Sequence, residues 1–192
     1  MAADKSTLSR PLATAVAGCL LAGTTPAQTV VAAQSEISFV SRQMGVPIEG
    51  RFKTFGADLS FDPRRPESGR VTLTIALGSV SFAAEQAQAE VVKPAWFDVA
   101  RFAQAQFQST AIKATGGGRF EVVGKLKLKG LTRDLSVPVT LVQTANSGTA
   151  TGSFMLRRLD YRIGDGEWAD TSAVADEVQV RLRFALTGLP PP

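Results

Sequence analysis

The sequence contains no histidine, and its 192 residues include a single cysteine, Cys19, close to the N-terminus. Those two shortages exclude several common chemistries. A Ser-His or Cys-His nucleophile needs an imidazole base, zinc sites rely on His and Cys, and attached or His-ligated haem needs the same side chains. No disulfide can form within the chain, so its stability must come from a packed core. Long apolar runs are lacking too. The longest uncharged one, Leu12 to Gly23, has 12 residues, where a spanning helix needs about 20.

That run instead reads as a secretory signal. Lys5 and Arg10 give a basic start, the apolar stretch follows, and Thr25-Pro26-Ala27 offers small residues at the cleavage spacing. Residues 1–27 are therefore expected to be a cleaved signal peptide and residues 28–192 one exported domain. Val31-Ala32-Ala33 is a second cleavage candidate. The alternative is a lipoprotein acylated at Cys19, since Val16-Ala17-Gly18-Cys19 resembles a lipoprotein box. Against it, Leu20, Leu21 and Ala22 continue the apolar run past the cysteine, where lipoproteins turn polar.

Charge of one sign is scarce as well. Cleavage at Ala27 removes Lys5, Arg10 and Asp4, leaving 19 basic and 16 acidic residues, scattered along the chain. Nucleic-acid binders gather a basic stripe with interleaved aromatics. None is present, so nucleic acid is not an expected partner.

What the chain does have is period-two alternation, the signature of half-buried strands. Val178, Val180, Leu182, Phe184 and Leu186 alternate with Gln179, Arg181, Arg183 and Ala185. Val71, Leu73, Ile75 and Leu77 repeat the pattern, as do Phe120, Val122, Leu126 and Leu128 opposite Glu121, Lys125, Lys127 and Lys129. Further strands are expected at residues 35–41, 50–61, 104–113, 134–143 and 149–159, which makes eight. In the 50–61 run the apolar parity slips near Gly56, so a bulge or bend is expected there. One helix is expected over residues 83–92, closed by Pro94. The fold class is all-β, and eight strands suit a sandwich or a closed antiparallel barrel. At that number a barrel either fills with its own side chains or holds one ligand. Periodicity does not choose between them.

Five motifs then carry a resemblance. They are Ile37-Ser38-Phe39; the run from Gly50 through Phe52, Phe55, Leu59 and Phe61 to Asp62-Pro63; Trp96-Phe97-Asp98-Val99; Phe107-Gln108-Ser109-Thr110; and the hairpin Gly124 to Arg133. In this order they resemble the YceI family of lipocalin-like, polyisoprenoid-binding proteins, from about Ser35 to Leu186. A departure is Arg162, which stands where many members have Gly. Gly166-Glu167-Trp168-Ala169-Asp170-Thr171 is similar to the branch found alone or joined to b-type cytochrome membrane domains. The resemblance implies an eight-stranded lipocalin-like barrel with one short helix and an apolar tunnel holding a polyisoprenoid or isoprenoid quinone. It implies a periplasmic location and no further cofactor or metal. It leaves open a membrane b-type cytochrome as partner, and a homodimer.

The tunnel walls are then expected from the inward-facing apolar residues: Phe39, Phe52, Phe61, Leu73, Ile75, Trp96, Phe97, Phe107, Phe120, Leu126, Phe154, Val180, Leu182 and Phe184. Trp96-Phe97 is expected to be either a lid over the mouth or an anchor plugging that end. Arg158, on one strand face with Asp160, either hydrogen-bonds a ligand head group or pairs with a rim carboxylate. The Lys125, Lys127 and Lys129 row is expected on a solvated outer face. The polar loop Asp160 to Asp170 is where an enzyme's carboxylates would be sought. An enzyme is not the expectation, and a barrel with a filled core is the alternative to a carrier.

Overall fold

The computed structural model describes residues 27–191. The expected signal peptide, apart from Ala27, and Cys19 lie outside the described residues. Eleven strands form one antiparallel sheet: β1 (Thr29–Val30), β2 (Glu36–Gln43), β3 (Val46–Phe52), β4 (Phe55–Ser60), β5 (Arg70–Ala76), β6 (Val80–Phe82), β7 (Gln104–Gly116), β8 (Arg119–Leu128), β9 (Leu131–Thr144), β10 (Ser147–Arg157) and β11 (Glu177–Thr187). Their spatial order is β4-β5-β7-β8-β9-β10-β11-β2-β3-β6, with β1 beside β11. The expected all-β, lipocalin-like architecture with one short helix is present, α1 (Glu85–Val91) lying inside the expected range.

The count exceeds eight for local reasons. The 50–61 run is split into β3 and β4 at Lys53-Thr54. The expected bend at Gly56 is corrected, because Gly56 sits inside β4 with open space where a side chain would go. The break is held by Ser79: Lys53 N donates to its carbonyl at 3.1 Å and Thr54 N to its hydroxyl at 3.0 Å. Because β3 and β4 are consecutive yet lie near opposite ends of the strand order, the sheet curls on itself. Gln28 ties the seam, its amide donating to the Phe61 carbonyl at 2.6 Å and accepting from Phe61 N at 2.6 Å. Two irregularities in β7, at Ser109/Ala111 and Ala114/Gly116, add curvature.

Strand β3 begins before the expected Gly50. Met44 and Gly45, with φ of 47° and 79°, form a two-residue turn that matches strand twist. Methionine gives no turn signal, and Pro47 is tolerated because β3 pairs only with β2 at that point. At its far end β10 stops at Arg157, and Arg158–Tyr161 forms a 3-10 turn. Arg158 and Asp160 therefore do not share a strand face, which corrects the expectation.

Candidate ligand-binding tunnel

The inward faces of the strands do not meet across the axis. They enclose a void of about 710 Å³, within the ~300–1,000 Å³ of ligand sites and far beyond ordinary packing defects. Of the residues expected in its wall, Phe39, Phe52, Leu73, Ile75, Trp96, Phe97, Phe107, Leu126, Phe154, Val180, Leu182 and Phe184 line it, and so does Arg158.

Phe61 and Phe120 are corrected. They pack edge to face at 5.1 Å with Ile112, Leu141, Leu186 and Leu189 in a separate cluster. Of those six only Leu186 touches the void. The cluster sits where the β7–β8 and β9–β10 hairpins turn, so it stoppers that end. Alternation places both rings inward, but only three-dimensional taper distinguishes a wall from a stopper.

Glycine makes room for the rings that form the wall. Gly50 faces Phe39 directly across the β2–β3 ladder, and a Cβ there would lie 2.4 Å from the Phe39 ring. Gly124 does the same for Phe107, whose ring would be 2.5 Å from an added Cβ. Both glycines stand at inward parity on their strands.

The opposite end is polar. Ser41, Gln43, Gln86, Glu90 and Arg158 line the void there, between the β2–β3 hairpin, α1 and the 158–176 loop. Sequence reasoning missed the first four, because Gln86 and Glu90 lie on a helix and Ser41 and Gln43 continue β2 past its apolar residues. Arg158 is only 2% exposed. Its guanidinium donates to five backbone carbonyls, those of Ala175 at 3.0 Å, Ile163 at 2.9 Å, Gly164 at 2.6 Å, Trp168 at 2.8 Å and Val174 at 2.7 Å. Those bonds occupy all five of its donors. Both expectations for Arg158 are thereby corrected: it forms a wall residue that organises the loop, neither a free head-group donor nor half of a rim ion pair. Burial lowers its pKa from the usual arginine value, against a compensating field from Asp176.

Trp96 and Phe97 are anchored by backbone bonds from Trp96 N to Lys93 O and from Phe97 N to Val91 O, each 3.0 Å. Phe97 is buried against Phe52 at 5.9 Å. Trp96 packs at a tilt against Trp168, ring centres 5.5 Å apart, with the Arg158 guanidinium 5.8 Å from its ring. Both indole N–H groups are buried without an acceptor among the described residues.

Of the lysine row, Lys125 is exposed and pairs with Asp134 at 2.7 Å. Lys129 instead turns into the loops and donates to the carbonyls of Ala95 at 3.2 Å and Arg162 at 2.6 Å. Desolvation pulls its pKa below the usual lysine value. Among the loop carboxylates, Asp170 has a structural duty. Asp170 accepts from the Ser172 hydroxyl at 2.7 Å and its N–H at 2.9 Å, which hold it below the usual carboxylate range. Neither it nor Asp165 or Glu167 lines the void.

The model of the YceI-like domain matches residues 28–186. The chain belongs to the YceI family. Among solved structures, Burkholderia cenocepacia BcnA is 40% identical, with a TM-score of 0.79, over 81% of this chain and 98% of that one. A domain from Saccharophagus degradans, described as polyisoprenoid binding, is 17% identical with a TM-score of 0.67, over 86% and 99% of the two chains. It shares the fold. A UPF0312 protein of Vibrio parahaemolyticus is 28% identical over 115 residues, covering 59% of this chain and 61% of that protein. One from Pseudomonas fluorescens is 32% identical over 99 residues, covering 52% and 50%. The chain thus spans between half and two thirds of these curated relatives. Arg162, the departure noted in the sequence, sits in the left-handed region at φ 54°.

Proposed function

We propose that this YceI-family chain binds a long isoprenoid lipid, a polyprenyl chain or an isoprenoid quinone, and shelters it in transit through the periplasm without chemistry of its own. One observation carries the reading: the barrel is hollow, with a mostly apolar wall, stoppered at one end and polar at the other. The description of the Saccharophagus domain as polyisoprenoid binding supports the ligand class, and the signal-like N-terminus supports the compartment.

The magnitudes agree. At roughly 30 Å³ per carbon-sized group, the share of a liquid water molecule, a 710 Å³ void holds on the order of twenty carbons. Burying them is worth about 0.8 kcal/mol each against water, or about 16 kcal/mol gross. Ordering the chain removes much of that. A bilayer offers the same tail a similar apolar home, so exchange between membrane and barrel is near balance, as a carrier requires.

The test is to fill the void. Ala150 and Ala57 both line it, and Ala150→Phe and Ala57→Phe are each expected to abolish uptake of a fluorescent C20 prenol while circular dichroism stays that of a folded barrel. Folded variants that load the prenol like wild type would refute the proposal.

A further inference from the structure

Resting on that reading, the asymmetry of the tunnel bears on the ligand's head group. The stoppered end is closed by apolar side chains, so a lipid enters tail first and leaves its head among Ser41, Gln43, Gln86 and Glu90. We infer that this rim selects an uncharged, oxygen-bearing head group, an alcohol or a carbonyl, over a phosphorylated one.

The argument is an inventory of charge. A phosphate is held by free cationic donors or by converging backbone N–H groups. The one cation in the wall, Arg158, has every donor committed to a backbone carbonyl, and Asp176 offsets its field. Lys129 points away, into the Ala95 and Arg162 carbonyls. Lys93 is paired with Glu90 and does not line the void. What faces the head is a hydroxyl, two amides and the Glu90 carboxylate. Ser41 is half-buried and Gln43 and Gln86 are exposed at the mouth, where their hydroxyl and amides line the void. Amides and hydroxyls serve a neutral oxygen as donors and acceptors, whereas the cation beside the rim, Lys93, is taken up by the Glu90 carboxylate and is not free for an anion.

The experiment compares geranylgeraniol with geranylgeranyl diphosphate, which share one tail and differ in the head. The chain has two tryptophans, and both line the polar end, so intrinsic fluorescence reads occupancy directly. Mature full-length protein, stripped of lipid, is expected to bind the alcohol at least tenfold more tightly. Glu90→Lys is expected to raise diphosphate affinity at least tenfold and leave the alcohol within twofold. Gln43→Lys, on a different element, is expected to shift the ratio the same way, so one misfolded variant does not decide the outcome. Equal or tighter binding of the diphosphate to wild type would overturn the head-group inference and leave the tunnel intact. Failure of both ligands to bind would overturn the carrier reading and this inference with it.

Discussion

Arg158 shows what a single residue contributes to this fold. Its five carbonyl partners come from Ile163, Gly164, Trp168, Val174 and Ala175, so one side chain replaces a secondary-structure ladder for an irregular loop. Arg158→Lys retains the charge but offers at most three donors. It is expected to destabilise the barrel by about 2–3 kcal/mol in urea unfolding. A loss below about 0.5 kcal/mol would mean the loop holds itself. Arg162→Gly relieves a left-handed backbone and is expected to gain about 1 kcal/mol by the same measurement. Asp176 accepts from Leu159 N at 3.0 Å and Arg157 Nε at 2.9 Å. Burial pushes its carboxyl up, but those bonds and the Arg157 charge outweigh it and hold the carboxyl below the usual aspartate value. A carboxyl depressed on folding stabilises the native state above its unfolded pKa and stops doing so as pH falls through the folded one. Stability is therefore expected to drop below about pH 4, and Asp176→Asn to flatten that drop. An unchanged acid profile in the variant would count against the assignment. The sequence singled out Arg158 as a head-group donor or half of a rim ion pair. It did not show the carbonyls around it, because those depend on how a loop of glycines and turns folds back.

Elements were legible in proportion to their length. Strands β5, β8 and β11 kept their expected cores because each carries several alternating apolar residues, a pattern only one register satisfies. The two- and three-residue strands β1 and β6 were invisible, being shorter than one period repeat on each face. The kink between β3 and β4 was read as a parity slip but placed three residues late, because Ser79, from a distant turn, fixes it. Inward glycines are the least legible feature. Gly50 and Gly124 weaken the apolar alternation, and only the rings lying over them show their purpose. Gly124→Ala puts a Cβ 2.3 Å from the Gln108 carbonyl. It is expected to cost about 1–3 kcal/mol by overpacking and to lower prenol capacity as Phe107 is pushed into the void. Wild-type stability would show that β7 and β8 have slack.

For the whole molecule, inward-facing rows either fill their barrel or leave it open, and alternation is identical in both cases. Thirteen of the fifteen expected wall residues line the void while Phe61 and Phe120 close its end. The set was therefore readable and its depth was not. A hollow core makes ligand part of the stability. At a free concentration near one hundred times Kd, a lipid that binds only the folded chain adds about 2.7 kcal/mol. That corresponds to a rise in Tm of about 5–10 °C for a domain of this size, to be seen by calorimetry of loaded against delipidated protein. Identical transitions would indicate that the void is not a binding site. The most direct measurement is native mass spectrometry of protein purified from its own host without detergent. The account predicts one isoprenoid-chain lipid per barrel, released by organic solvent. Protein that carries no lipid mass, and accepts none when offered, would contradict it.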